Sequence, residues 1–401
     1  SNDLLEWETT RSTDIGLDAG FFNNRLTAEI DWYDRHTSGI LYRAPLHLTV
    51  GNKTAPYQNL CEVDNKGFEV TLGWNDHVGK VSYYVKGNFT RNWNKVSKYK
   101  GLLEAGWVED EFGHRVYKSN IGDVSTGGNT RTMEGKLINE FYLLNTYTGD
   151  GSYYFGDGSV NPAGGPRDGM IRTPEDMAWL EAMIAKGNVF LPNKTVGKKG
   201  IWYGDYIYQD LNGDGIFGDA NDYSFQNVSQ TPKFYYGIQL GATWKGFDFS
   251  AQFAGAGGFS RWWYYLGYNA TSTRADTAIP LHIAENHYFY DPENPGDIRT
   301  NLWAENGRMT MNYGSEQNGG SVSSNLYLYK ADYLKCKNIT LGYTLPKSVL
   351  RKIRFENVRV FVSGENLFTV TDYPGMDPEF SATNNYYASL RQWAFGLNVK
   401  F

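Results

Sequence analysis

Apolar and polar residues alternate along most of the chain, in segments of about ten residues. The last segment shows this most clearly, because five apolar residues share one face: Trp393, Phe395, Leu397, Val399 and Phe401. The same period of two recurs in residues 26–32, 68–74 and 247–253. A period of two is typical of strands whose two faces meet different surroundings. The chain is therefore predicted to be an all-β protein.

The alternation predicts about eleven strands, of which 136–147 and 201–210 are the weakest. If neither of these two is a strand, residues 97–228 form one long excursion, and the number of strands is odd in either case. Residues 174–186 and 347–353 have helix-like spacing instead. The predicted strands are 8–22, 25–36, 62–74, 80–94, 136–147, 201–210, 231–244, 246–256, 326–345, 357–370 and 388–401.

The connections between these strands are of two kinds. Tight turns are predicted at Asn23-Asn24, from Asn75 to Lys80 and at Lys245-Gly246. Long polar connections are predicted elsewhere, with large excursions at 97–228 and 256–324. Short turns on one side and long loops on the other are the pattern of a transmembrane antiparallel β-barrel with long extracellular loops. A soluble sandwich lacks this strict rhythm.

An odd number of strands cannot close a bacterial barrel. An open edge in a bilayer leaves backbone N–H and C=O groups unpaired, at several kcal/mol each. We therefore expect the segments from Trp7 to Phe21 and from Arg391 to Phe401 to pair with strands supplied from elsewhere. The simplest source is an N-terminal part of the same gene product, and doubling eleven gives about 22 strands, the size of plugged transporters.

Composition removes several function classes. The net charge is −6 and no basic stripe interleaves with aromatic residues, which argues against nucleic-acid binding. No HExxH, GxSxG or P-loop motif occurs, so no enzyme activity is predicted. Cys61 and Cys336 lie far apart without a CxxC motif, and they are expected to be buried and unpaired.

Ten short motifs run along most of the chain, and their order is more specific than any one of them. They lie at 7–10, 15–18, 22–26, 63–69, 210–215, 232–234, 245–248, 337–343, 364–368 and 373–379. In this order they resemble the C-terminal half of SusC/RagA-type TonB-dependent transporters of the Bacteroidetes outer membrane. The chain differs at Cys336, where an aliphatic residue is usual, and residues 149–200 are longer than expected.

The resemblance implies a location, partners and a function. The N-terminal part would carry a plug, the remaining barrel strands and the contact with the TonB complex, and the barrel would face outer-membrane lipid. A SusD-like surface lipoprotein would close over the extracellular mouth. The expected function is import of oligosaccharides. The alternatives are import of oligopeptides by the same fold, or a secreted carbohydrate-binding or glycan-degrading β-protein.

An acidic loop resembles the start of a calcium site. Side-chain oxygens at its first, third and fifth positions could converge on Ca²⁺, and its seventh position could offer a backbone carbonyl. The twelfth position is Asn221 where an acid is usual, and Asp219 or Asp222 could replace it. The alternative is a turn rich in Asp and Asn without an ion. The candidate ligands are Asp210, Asn212, Asp214, Ile216 and Asp222.

Aromatic residues in the loops are the candidates for cargo contact. Trp262 and Trp263 begin an aromatic run after a strand, where a sugar-stacking platform competes with the aromatic girdle of a barrel, and the girdle or loop packing is favoured. Five others lie in the predicted long loops, where a girdle explains them less well, and could contact cargo or the lipoprotein: Trp107, Phe112, Tyr117, Tyr153 and Tyr154.

Phe401 has a separate expectation. Its ring suits the headgroup region at the periplasmic interface. By the resemblance, such a final aromatic residue is an assembly signal, whereas the simpler interpretation is one more girdle residue.

Overall fold

The structure, a computed structural model, describes residues 5–43, 56–99, 105–109, 115–119, 129–263, 281–309, 317–318, 322–380 and 389–401. Within these ranges, no helix has the length and the apolar character needed to cross a membrane.

Nine long strands form one antiparallel sheet, and each pairs with the one that follows it among the nine. This meander confirms the all-β class. The strands are β1 (Thr9–Phe21), β2 (Leu26–Arg43), β3 (Tyr57–Val78), β4 (Val81–Tyr99), β12 (Phe234–Trp244), β13 (Phe247–Gly257), β18 (Tyr333–Thr344), β19 (Asn357–Thr371) and β20 (Gln392–Lys400).

Shorter elements lie between these strands. Between β4 and β12 are β5 (Ala105–Glu109), β6 (Arg115–Ser119), β7 (Thr130–Arg131), β8 (Glu140–Leu144), α1 (Pro174–Ala185), β9 (Val189–Phe190), β10 (Ile216–Phe217) and β11 (Tyr223–Ser229). Between β13 and β18 are β14 (Ser260–Trp262), α2 (Leu281–Glu285), β15 (His287–Tyr288), β16 (Asn306–Arg308) and β17 (Leu328–Lys330). The helix α3 (Lys347–Ile353) joins β18 to β19. Both predicted helices, α1 and α3, are therefore confirmed.

One face of the nine-stranded sheet is apolar and open to its surroundings. Leu17 lies opposite Ile30 in the register of β1 and β2. Near the other edge, Leu341 lies opposite Val362, which in turn lies opposite Phe395. Phe395 is 82% exposed and Leu17 is 62% exposed. In water this face would be costly, whereas in a barrel it contacts lipid.

Short and long connections alternate along the sheet, as predicted. Because consecutive strands run antiparallel, all the long connections emerge at one end. At the other end, Lys245 and Gly246 have φ angles of 49° and 90°, which suits a two-residue hairpin turn. The short connections are 22–25, 79–80, 245–246 and 345–356, and the long ones are 44–56, 100–233, 258–332 and 372–391.

Two of the eleven predicted strands do not belong to the sheet. Residues 140–144 are buried at every position and form β8, which pairs with β7 and β11 in a small separate sheet. Residues 201–210 form isolated bridges, such as Tyr206 with Met170, and bury their apolar side chains in another core. Both segments are rich in apolar residues because they are buried on all sides. The sequence pattern of such a short apolar segment cannot be distinguished from that of a buried strand.

Other boundaries also differ from the prediction. The segment 326–345 is broken, because a 3₁₀ turn at Asn325–Tyr327 and the short β17 precede β18. The predicted turn from Asn75 to Lys80 is only Gly79-Lys80, since β3 continues to Val78. The strands β2 and β3 also extend well into the predicted loop between them.

The edges of the sheet are β1 and β20, which each have one neighbour within the described part of the chain. The sheet of nine strands is therefore open there, and the odd number agrees with the expectation. If the whole barrel has about 22 strands, about 13 come from outside this chain. That the edges pair with an N-terminal part stays a prediction.

A second body, here called the lobe, is made of residues 147–222 and 281–309. Its core surrounds Trp179, which is 0% exposed. The helix α1 is fixed by a capping box, in which Thr173 accepts from the Asp176 N–H and the Asp176 carboxylate accepts from the Thr173 N–H. The core residues include Met170, Ile171, Leu180, Phe190, Ile207, Phe217 and Tyr288.

Candidate functional site

The second face of the sheet is polar and is crossed by ion pairs. Arg35 on β2 lies 3.7 Å from the Asp14 carboxylate on β1. Arg359 on β19 reaches Asp248 on β13 with Nε–Oδ1 and Nη2–Oδ2 distances of 2.9 and 2.5 Å. This pair passes over Gly342 of the intervening strand, where a Cβ atom would lie 2.5 Å from the guanidinium. A polar inner wall of this kind suits a water-filled barrel.

The most buried charged group on this face is Lys335. Its side chain is 1% exposed, and its Nζ lies 2.8 Å from Asp377 and 2.5 Å from Glu379. Ser389 donates to Asp377 at 2.7 Å, and Lys337 binds the second oxygen of Glu379 at 2.5 Å. We call these five residues the lysine cluster. It fastens the connection 372–391 to the sheet.

The electrostatics of the lysine cluster favour ionised carboxylates. Burial opposes ionisation of Asp377, but hydrogen bonds from Lys335 and Ser389 outweigh it and hold the pKa of that carboxyl below its usual range. Burial also opposes ionisation of Glu379, yet the two lysines hold its pKa below the ordinary value. Two sequence motifs, 337–343 and 373–379, thus meet at Lys337 and Glu379 in one network, which spacing alone did not predict.

The lobe is held by two partly buried arginines, Arg308 and Arg172. Arg308 binds both oxygens of Asp205, at 2.7 and 2.8 Å, and this aspartate is 0% exposed. Arg172 binds the carbonyl oxygens of Leu302 and Ala304 at 2.7 and 2.9 Å. These contacts tie residues 281–309 to residues 147–222, far away in sequence.

A cleft of about 590 Å³ opens where these two parts of the lobe meet. Its walls carry five aromatic residues: Trp202, Tyr203, Tyr288, Phe289 and Tyr290. The sequence analysis did not select them, although the short aromatic runs at 202–203 and 288–290 were a usable signal. Their proximity depends on the parallel pairing of β15 with β16 and on the Arg308–Asp205 pair, which periodicity does not reveal.

The predicted cargo residues are not brought together. Trp262 donates to the Ser324 carbonyl at 2.9 Å and packs on Tyr327, while Trp263 packs among Tyr329, Tyr373 and His282. Both are loop-packing residues in this structure, the interpretation favoured from the sequence.

The other five predicted residues are scattered. The Tyr153 hydroxyl donates to Asp176 at 2.9 Å, which makes it part of the α1 cap. Tyr154 is 47% exposed on the lobe surface. Trp107 and Tyr117 are paired positions in the backbone register of the β5–β6 hairpin. Phe112 lies outside the described residues.

The acidic loop has the form of successive Asx turns. Asp210 accepts from the N–H groups of Gly213 and Gly215 at 2.6 and 2.9 Å, and Asp214 accepts from that of Ile216 at 2.8 Å. Asn212 is 4% exposed, and its amide donates to Asp214. Among the described residues, no group of three or more His, Cys, Asp or Glu side chains is placed to hold a metal ion. Calcium binding stays a prediction.

Asp222 is the buried acid of this loop. Its oxygens accept from the N–H groups of Leu211, Gly218 and Asp219 at 2.7, 2.8 and 3.1 Å. Burial nevertheless raises the pKa of the Asp222 carboxyl to about 6. The buried Asp222 carboxylate therefore links Leu211 near the start of the loop to Gly218 and Asp219 near its end.

Comparison with known proteins finds TonB-dependent receptors. The family described as "TonB dependent receptor-like, beta-barrel" matches residues 1–173. TonB-dependent receptor P3 of Formosa agariphila is 27% identical across this whole chain. The chain is similar to TonB-dependent receptors over its whole length. TonB-dependent receptor SusC of Bacteroides thetaiotaomicron is 26% identical, again across the whole chain, which confirms the resemblance drawn from the motifs.

Solved structures agree with this similarity at the level of the fold. The structure of the RagAB peptide transporter matches with a TM-score of 0.65 and 22% identity, covering 98% of this chain and 36% of that one. The "open-open" state of the RagAB peptide importer matches with a TM-score of 0.62 and 22% identity, over 99% of this chain and 35% of that one. At this identity the likeness concerns the fold.

The chain spans about a third of the length of the curated relatives, 35% of the P3 receptor and 32% of SusC. This similarity to TonB-dependent receptors indicates an outer-membrane location, as predicted, and argues against the alternative of a secreted β-protein. The matched relatives are named as receptors, in agreement with the prediction that the protein is not an enzyme. The buried cysteines Cys61 and Cys336 are both free, as predicted.

Proposed function

We propose that this chain forms part of the barrel wall, and the outer loops, of an importer that carries oligosaccharides across the outer membrane. The observation that carries the proposal is a sheet with one apolar and one polar face, whose long connections all leave at one end and build an aromatic-rich lobe. The apolar face suits lipid and the polar face suits a water-filled passage. The aromatic lobe suits sugar rings, whose apolar faces pack on aromatic ones.

The partners of this importer are part of the proposal. A SusD-like surface lipoprotein would close over the end that carries the long connections and trap cargo there. The TonB complex would act on the N-terminal part, which would hold the plug and the remaining strands. Capture between lipoprotein and loops would come first, and opening of the plug would follow.

Import of oligopeptides is the second candidate. It is favoured by the similarity to the solved structures of the RagAB peptide transporter and peptide importer. The two candidates predict different cargo and the same barrel.

The experiment is a growth assay with a strain that lacks the full gene. The deletion strain, its parent and the deletion strain complemented with the gene are grown on single oligosaccharides and on oligopeptide mixtures as sole carbon sources. Loss of growth on one glycan class, restored by the gene, is the expected result. Loss confined to peptides would replace the proposal by the second candidate, and normal growth on every substrate would reject both.

A further inference from the structure

The cleft of the lobe has features of a ligand site that lies outside the barrel. Its volume of about 590 Å³ falls inside the range of small-molecule sites, about 300–1,000 Å³. Aromatic walls with a few convergent polar groups are typical of such sites. We propose that this cleft binds a short stretch of a neutral oligosaccharide before the cargo enters the barrel. The substrate class rests on the proposed function.

The rings of the cleft are held at fixed angles. Trp202 packs edge to face against Tyr203 with 5.1 Å between ring centroids, and Tyr203 packs likewise against Tyr290 at 5.0 Å. Tyr203 and Tyr288 are only 8% and 1% exposed, so they support the wall from the core of the lobe. The partly exposed rings of Trp202 and Tyr290 are therefore the ones that offer surface to a sugar ring, and Tyr203 holds them at an angle to each other.

Polar groups beside these rings have no protein partner in the described part of the chain. They are the indole N–H of Trp202 and the hydroxyls of Tyr203 and Tyr290. The His287 Nδ1 lies 3.0 Å from the Ala284 carbonyl oxygen, so Nδ1 carries the proton and Nε2 is an acceptor. Asn301 donates to the His287 carbonyl at 3.4 Å, which leaves its own amide oxygen for a ligand. Mixed donors and acceptors suit sugar hydroxyls, which are both.

The charges of the cleft argue against ionic ligands. Arg308 is paired with buried Asp205, and Arg299 binds Asp297 at 2.6 Å while its guanidinium covers the Phe289 ring at 4.4 Å. Lys198 lies 4.0 Å from Glu293. A free peptide brings an ammonium and a carboxylate group, and an acidic glycan brings carboxylates or sulfates. Each cation here already has an anion, and Glu285 adds a further carboxylate to the lining. The cleft therefore disfavours carboxylates and sulfates, and a ligand without anionic groups fits best.

The test measures binding to the purified full-length transporter by titration calorimetry. The probes are maltohexaose, xylohexaose, mannohexaose and an unblocked oligopeptide mixture. The variants are Trp202→Ala and Asn301→Ala, with Trp202→Phe to restore a ring. Trp303→Ala is the matched control, since Trp303 is 76% exposed on the same lobe and does not line the cleft. Unchanged heat-modifiable gel migration and unchanged melting temperature show that a variant is folded.

We expect at least one hexasaccharide to bind, about tenfold more weakly to Trp202→Ala and unchanged in the control. Trp202→Phe should recover part of the loss. If Trp202→Ala does not fold, weakened binding to Asn301→Ala carries the result. Absence of hexasaccharide binding, or equal binding to wild type and folded cleft variants, overturns the inference. Peptide binding that depends on Trp202 overturns the carbohydrate assignment.

Failure of the cleft inference can be distinguished from failure of the proposed function. If cells import a hexasaccharide while the cleft variants bind it normally, only the cleft inference fails. If cells import peptides and no glycan, the proposed function fails.

Discussion

Removing the charge of Lys335 is the perturbation with the largest expected effect on the loop 372–391. The substitution Lys335→Met keeps the length of the side chain and removes the ammonium group. Glu379 remains paired with Lys337, whereas Asp377 keeps only neutral donors. The side chains of Lys335 and Asp377 are 1% and 7% exposed, so water replaces little of the lost interaction.

The magnitude follows from this burial. Breaking one partner of a buried ion pair costs about 3–5 kcal/mol. Because Glu379 is 23% exposed and keeps Lys337, we take the low end, about 3 kcal/mol. The part of the segment around Asp377 and Glu379 should open locally, since the lysine cluster holds both carboxylates. A loss of about 3 kcal/mol raises the exchange rate of a protected amide by about 100-fold.

The assay is hydrogen exchange of the Glu379 amide in the full-length transporter. This amide donates to Asp377 at 3.0 Å and reports directly on the cluster. The control is Lys400→Met, because Lys400 pairs with Glu356 at a similar distance, 2.6 Å, with both side chains more than half exposed. An exposed pair contributes about 1 kcal/mol or less.

The double variant Lys335→Met/Asp377→Asn should recover most of the protection, since no buried charge then lacks a partner. Exchange at Glu379 that rises by less than about fivefold in folded Lys335→Met would refute the reasoning, since that is the scale of a surface pair.

Other outcomes follow from the same structure. The pKa values of Asp377 and Glu379 are lowered on folding, so the fastening is complete above the ordinary carboxyl pKa of about 4 and is lost as pH falls through the lower folded values; amide protection, corrected for intrinsic rates, should be equal at pH 7 and pH 5 and fall only in stronger acid. Deleting Phe401, which packs on Phe355 at 5.2 Å between centroids, should reduce the amount of folded barrel on heat-modifiable gels and leave uptake per folded molecule unchanged; normal barrel levels would reject the assembly role. Calcium titration of the full-length protein should give binding that Asp210→Ala abolishes, and an anomalous signal within about 2.3–2.6 Å of the Asp210 oxygens; an ordered loop with water alone would reject the site. A structure of the whole transporter should show β1 and β20 hydrogen-bonded to strands outside this chain, and an edge open to lipid would contradict the closure argument.

The sheet could be predicted from sequence because its signal is local. A period of two over ten or more residues fixes the strand and both of its faces, as in β20, and paired Asn or Gly residues fix the tight turns. The alternation of short and long connections then gave the architecture. The long loops carry no such period, so the segment at 201–210 was taken for a strand when its apolar residues serve the core of the lobe.

The candidate sites were harder to predict because distant residues build them. Lys335 meets Asp377 across 42 positions, and Arg308 meets Asp205 across 103. Each residue alone resembles a solvated surface charge, and only the fold shows that it is buried. The acidic loop is local in sequence, and its turns were correctly located. Its carboxylates accept hydrogen bonds from backbone N–H groups, which could take the place of contacts to an ion.

Uptake measured directly in cells tests the proposed import of oligosaccharides. Cells with the wild-type gene, the deletion strain and cells treated with an uncoupler receive fluorescently labelled hexasaccharides or labelled oligopeptides, and the label inside the outer membrane is measured. We expect gene-dependent accumulation of one neutral oligosaccharide, abolished by the uncoupler, because in the proposed importer energy from the inner membrane would open the plug. Equal accumulation of that oligosaccharide with and without the gene, or gene-dependent accumulation of peptides alone, would contradict it.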